Sequence, residues 1–169
     1  MSKAFTREDD TGDEPVLPRP VSLLPPGAKN YLTARGAETL RAELARLLAT
    51  ERPPLVARMD DPDAKRELQA LDRRIQYLQD SLRTAEVTTP PLPPHDVVRF
   101  GATVTVRERS GNPATYRIVG VDETDFHADN ISWLSPLARA LLNARLGERV
   151  AFKAPRGLTE LEIAGITYE

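Results

Sequence analysis

The chain has 169 residues, 40% of them hydrophobic and 28% charged, a make-up that suits two small globular domains. A formal net charge of -2 and a pI near 5.8 argue against free DNA or RNA as the main partner, because binding phosphates needs a clear basic excess. The absence of cysteine excludes disulfides and thiolate metal sites. With no signal-like N-terminus and no apolar run of bilayer length, a cytoplasmic protein is expected.

Residues 1–30 combine an acidic run (Glu8, Asp9, Asp10, Asp13, Glu14) with Pro18, Pro20, Pro25 and Pro26. They have little to bury and read as a disordered tail. Residues 31–87 carry helical periodicity. Thr33 is a natural N-cap for a first helix with apolar residues at Ala37, Leu40, Leu44 and Leu47. A second series runs Leu68, Leu71, Ile75, Leu78 and Leu82. Both step by threes and fours, as the seam of a two-stranded coiled coil does. Asp60-Asp61-Pro62-Asp63 between them signals a turn, so the pattern predicts an antiparallel helical hairpin. Arms of about 20 residues would reach roughly 30 Å. Pro53-Pro54 should kink or interrupt the first arm.

A proline cluster, Thr88-Thr89-Pro90-Pro91-Leu92-Pro93-Pro94, makes residues 88–96 a stiff linker. Residues 97–169 then change period. Val98, Phe100, Ala102, Val104 and Val106 alternate with polar residues as a half-buried strand. Ser110-Gly111-Asn112-Pro113 is a turn, and Thr115 to Val121 reads as the returning strand. Ser135 should cap a short helix with Pro136 at its first position and Gly147 just past its end. Strand-like runs Arg149 to Ala154 and Leu161 to Tyr168 follow, joined through Pro155-Arg156-Gly157. Strands around one helix give a small α+β domain. No phosphate loop or nucleophile motif is present. His95 and His127 lack metal-ligand spacing, so no metal site and no cofactor are assigned.

Three stretches resemble the GreA/GreB transcript-cleavage factor family, GreB more than GreA. The first is Tyr31-Leu32-Thr33-Ala34-Arg35-Gly36, running on through Leu44 to Glu51-Arg52-Pro53. The second is Leu71-Asp72-Arg73-Arg74-Ile75-Gln76-Tyr77-Leu78. The third runs from Phe100-Gly101-Ala102 through Tyr116-Arg117-Ile118-Val119-Gly120 and Asp122-Glu123 to Ile131-Ser132-Trp133-Leu134-Ser135-Pro136-Leu137-Ala138-Arg139-Ala140-Leu141-Leu142. The resemblance implies an FKBP-like C-terminal domain gripping the rim of the RNA polymerase secondary channel. The helical hairpin would enter that channel, and acidic tip residues would help hold a catalytic magnesium for RNA cleavage. The chemistry belongs to the polymerase, so a factor of this kind is not itself an enzyme.

The chain departs from the family at the tip. The Gly-Asp-Arg-Ser-Glu-Asn-like motif is missing, and the hairpin is about a dozen residues shorter than that of GreB, which costs roughly 10 Å of reach. Docking is therefore expected without assured cleavage. Asp60, Asp61 and Asp63 form a candidate acidic tip near the polymerase magnesium; turn chemistry and helix-start carboxylates are the simpler explanation of them. Lys65, Arg66, Arg73 and Arg74 form a candidate basic patch facing nucleic acid within the complex, against the alternative of a solvated or paired helix face. By resemblance Ile131, Ser132, Ser135 and Pro136 lie at the polymerase-docking surface, although capping alone accounts for the last two. Trp133 reads as an interface anchor or as partial core. A channel-binding regulator leads. An active cleavage factor, a prolyl isomerase built on the FKBP-like fold, and a coiled-coil module with another partner remain open.

Overall fold

The computed structural model describes residues 24–108, 111–154 and 157–169. Residues 1–23 of the expected tail lie outside the described residues, as do Ser110 of the expected turn and Pro155-Arg156 of the expected connection. The order of elements is β1 (Asn30–Thr33), α1 (Ala34–Arg46), a π-helical turn (Leu47–Glu51), α2 (Arg52–Val56), α3 (Pro62–Thr84) and β2 (Ala85–Thr88). Then come β3 (Thr103–Glu108), β4 (Pro113–Val119), a 3-10 turn (Val121–Phe126), β5 (Asn130–Ser132), α4 (Pro136–Leu141), β6 (Arg149–Ala154) and β7 (Gly157–Thr167).

Helix α1 starts where Thr33 takes an extended conformation and its hydroxyl accepts the Gly36 N–H at 3.0 Å. Helix α3 starts at Asp61, whose carboxylate accepts the Asp63 N–H at 3.0 Å, with Pro62 in the first turn. Leu32, Ala37, Leu40, Leu47, Ile75 and Leu78 are buried together between the two arms, with Leu44, Leu71 and Leu82 at the margin. Contacts between the arms run in opposite sequence order: Arg52 pairs with Asp72 at 2.8 Å and Arg74 with Glu43 at 2.8 Å.

Pro53 and Pro54 interrupt the first arm, as expected. A proline has no N–H, and its ring pushes against the carbonyl four residues earlier. The chain widens by one residue just before them, so that the Arg52 N–H bonds the Leu47 carbonyl in a π-helical turn, and α2 restarts with the prolines in its first turn. Continuity is kept at the cost of one irregular turn.

The arms end in strands rather than in helix. β1 pairs with β2 in parallel, Asn30 opposite Ala85 through Thr33 opposite Thr88. Asn30, expected in the tail, belongs to this ribbon. Its buried side-chain amide donates to the Ser81 carbonyl at 2.9 Å, and to the Ser81 and Thr84 hydroxyls at 3.2 Å.

The C-terminal part is a five-stranded sheet in the order β5-β4-β3-β7-β6, antiparallel except for β4 with β5. Helix α4 lies against it, contributing Ala138 and Leu141 to a core with Val98, Val104, Ile118 and Ile163. Val98 and Ala102 are buried as their alternation predicts, but the strand begins only at Thr103. Gly101 has φ +84, and Val98 pairs instead with Asn143 and Ala144 through backbone bonds. Helix α4 ends earlier than Gly147 suggested. Asn143, at φ 67, takes the left-handed position that follows the last turn.

Leu78 is fully buried in the seam, whereas Leu71 is half-exposed. Leu78→Ala should lower unfolding free energy by about 2–5 kcal/mol in urea titrations, and Leu71→Ala by clearly less.

Candidate functional site

The tip of the arms is residues 57–61. Here the three candidate carboxylates separate by what holds them. Asp61 is the N-cap of α3, and the Arg58 guanidinium donates to it at 2.6 Å. That bond, with the Asp63 N–H next, holds the Asp61 carboxyl below the ordinary aspartate range. Asp63 sits in the first turn of α3 and accepts from Arg66 at 3.2 Å. Asp60 is exposed, and its side chain has no bonding partner among the described residues. Met59 beside it is 47% exposed. No group of three or more His, Asp or Glu side chains among the described residues is placed to hold a metal ion.

The four candidate cations do not form one patch. Nine residues at about 100° each put Lys65 and Arg74 on opposite sides of α3. Arg74 is bidentate to Glu43 on α1, at 2.8 and 2.9 Å, and lies over the Tyr77 ring at 5.6 Å. Its guanidinium is held still more firmly protonated, mainly by the Glu43 hydrogen bond. Arg66 is occupied by Asp63. Lys65 and Arg73 remain as the members of the set without a bonded side-chain partner among the described residues.

The docking candidates line one end of the C-terminal sheet. Ile131 and Ser132 lie on β5, the edge strand, opposite Ile118 and Val119 of β4. Ile131 packs on the core, and the Ser132 hydroxyl accepts the Leu134 N–H at 3.2 Å. The Ser135 hydroxyl accepts the Ala138 N–H at 3.1 Å, capping α4, and leaves Pro136 exposed at its first position. Trp133 is half-buried, its ring edge-on to Tyr31 of β1 with centroids 5.2 Å apart. It joins the two parts of the chain instead of standing free.

Composition and periodicity give no hint of the residues that unite these surfaces. Asp122 and Glu123, consecutive in the 3-10 turn, both reach the foot of the arms. Glu123 is 2% exposed and accepts the Thr33 and Gly120 N–H groups, each at 2.9 Å, as well as the Thr33 hydroxyl. Asp122 accepts the hydroxyls of Tyr77 and Ser81 from α3. Burial first, then the Asp122 bond, pushes the Tyr77 phenol well above its usual range. Beside this junction, a cleft of about 270 Å³ is lined by residues that include Arg35, Gly36, Arg117 and Glu123. Arg117 reaches across to Glu169 at 2.5 Å.

Comparison with known proteins agrees with the resemblance. Residues 93–168 match the family model described as "Transcription elongation factor, GreA/GreB, C-term". The GreB transcription elongation factor of Neisseria meningitidis serogroup B is 40% identical over 154 residues, covering 83% of this chain and 94% of that protein. The GreA transcription elongation factor of Alkalilimnicola ehrlichii is 40% identical over 156 residues, covering 83% and 99% respectively. A solved GreA/GreB elongation factor from Nitrosomonas europaea, 25% identical, superposes with a TM-score of 0.42 over 83% of this chain and all of that one. The chain belongs to the GreA/GreB family of transcription elongation factors.

Two outcomes are expected. Arg74→Ala should destabilise the packing of the arms by about 1 kcal/mol, because it strands Glu43, while Lys65→Ala leaves the melting curve in place. Asp61 has a folded-state pKa below its unfolded value, so its contribution is full above the ordinary value of 3.8 and is lost as pH falls through the lower folded value. In an NMR pH titration the Asp61 carboxyl carbon should shift with a midpoint below 3.8.

Proposed function

We propose that this protein binds RNA polymerase at the secondary channel and regulates elongation by occupying that channel, without stimulating transcript cleavage. In this reading the C-terminal sheet and α4 form an FKBP-like docking domain, and the helical arms act as an antiparallel coiled-coil hairpin inserted toward the active site. The protein is not itself an enzyme. The β5–α4 end, with Ile131, Ser132, Ser135 and Pro136, is the docking surface. Nucleic acid is met only within the polymerase complex, through Lys65 and Arg73.

The observation that carries the reading is the state of the tip. Asp61 and Asp63 are engaged by Arg58, Arg66 and the start of α3, so Asp60 alone keeps a free carboxylate. A magnesium ion shared with the polymerase needs donors within coordination distance, and one carboxylate on a shortened arm is a poor set. The α3 arm, with 23 residues, is roughly 35 Å long. Among the described residues no helix is long and apolar enough to cross a membrane, in keeping with a partner met in solution.

The test is transcript cleavage on backtracked elongation complexes, with and without an authentic Gre factor. Absence of cleavage together with inhibition of the competitor is the expected outcome. Cleavage that Asp60→Ala abolishes would replace this reading with an active factor that uses a relocated tip. No effect in either arm of the experiment would remove polymerase as the partner.

A further inference from the structure

We propose that Asp122 and Glu123 are positioning residues that set the direction in which the helical arms leave the C-terminal domain. The functional consequence rests on the polymerase-binding reading above; the geometric claim does not.

One short turn holds both arms at once. Glu123 grips the start of α1: it accepts the N–H and hydroxyl of Thr33, and that same hydroxyl accepts from Gly36 in the first turn of the helix. Asp122 grips the end of α3 through Tyr77 and Ser81, one helical turn apart. Phe126, from the same turn, packs into the seam between the arms. On its other side the turn is anchored to the domain, because the Asn130 amide donates to the Glu123 carbonyl at 2.7 Å and Gly120 donates to its carboxylate.

The surroundings leave little freedom for another arrangement. A Cβ built on Gly36 would overlap the Glu123 carboxylate, and one on Gly120 would overlap the Tyr31 carbonyl oxygen. Both glycines are therefore required by close approach of the two parts of the chain. A buried carboxylate is a costly way to gain stability, since apolar residues of the same volume often do as well. What it supplies is direction: its acceptors are met only when Thr33 and Gly120 sit at one distance and angle. Tyr31, tilted against Phe100 at 5.6 Å and edge-on to Trp133 at 5.2 Å, adds area to the junction but no comparable angular constraint.

The experiment uses the full chain. Because the sequence contains no cysteine, Gln69→Cys on α3 and Thr115→Cys on β4, both exposed, accept a spin-label pair without background. Pulsed dipolar spectroscopy on this protein should give one narrow distance distribution. Adding Asp122→Asn and Glu123→Gln, which keep shape and remove the charges, should broaden it at least about twofold at temperatures where near-UV dichroism shows Trp133 still packed. If the double substitution unfolds the chain, Asp122→Asn alone is measured in the same way and should also broaden the distribution. With polymerase, binding should be retained while inhibition of a Gre competitor weakens about tenfold or more, the pattern of a misdirected arm. A distribution as narrow as the parent's, with only the melting temperature lowered, would overturn the proposal and leave a merely stabilising contact. If the parent itself does not compete for polymerase, the functional reading falls, and the distance measurement still decides the geometric one.

Discussion

The contact on which the architecture turns is the buried Glu123 carboxylate at the start of α1. A carboxyl group with 2% exposure is tolerable only if its lone pairs are filled, and here backbone and hydroxyl donors from two segments fill them. Thr33 stands 90 positions before Glu123 in the chain, while Gly120 is its near neighbour. Neither part of the molecule can shift without leaving that carboxyl group short of donors, and the two glycines that admit it are fixed by the same demand. Asp122 extends the arrangement to the second arm, so the foot of the arms is a polar junction framed by the Tyr31, Phe100 and Trp133 rings.

From that foot the arms are built by ordinary means, with one exception. The Leu and Ile seam closes on itself, and Arg74 with Glu43 and Arg52 with Asp72 fasten the polar flanks. The exception is the Pro53-Pro54 pair, absorbed by a π-helical turn that spares the seam. Past that point the chain becomes more exposed: Val56 and Met59 both show more than 40% of their surface. The tip therefore combines apolar surface with a single free carboxylate, a different composition from an acidic metal-holding loop.

Much of this was legible in sequence because it is local. Thr33, Asp61 with Pro62, and Ser135 with Pro136 announce helix starts through bonds spanning two or three residues, and the three-and-four spacing of leucines marks the seam. Strand β6 has the bounds its sequence suggests, whereas β4 begins and ends two residues earlier than Thr115 to Val121 and β7 begins at Gly157, four residues before Leu161. What escaped is non-local or chemically ambiguous. The parallel β1–β2 ribbon pairs segments about 55 positions apart, and nothing in four residues of NYLT or AEVT declares a partner. Arg74 of the candidate basic patch faces Glu43 instead, a pairing set by the register of the two arms. Asn143 displaced Gly147 as the helix stop because asparagine also tolerates positive φ. Asp122 and Glu123 stood in the family-like stretch, but their bonding to the arms depends on the assembled junction.

The central claim is that an arm held in a fixed direction enters the polymerase and stops short of its metal. The most direct measurement is a photo-crosslinker attached at a cysteine replacing Met59, mapped on a polymerase elongation complex. The account predicts crosslinks to polymerase segments lining the secondary channel, outside the shell of residues that coordinate the catalytic magnesium. Crosslinks confined to the polymerase exterior, or none above the level given by a label on the far side of the C-terminal sheet, would contradict it.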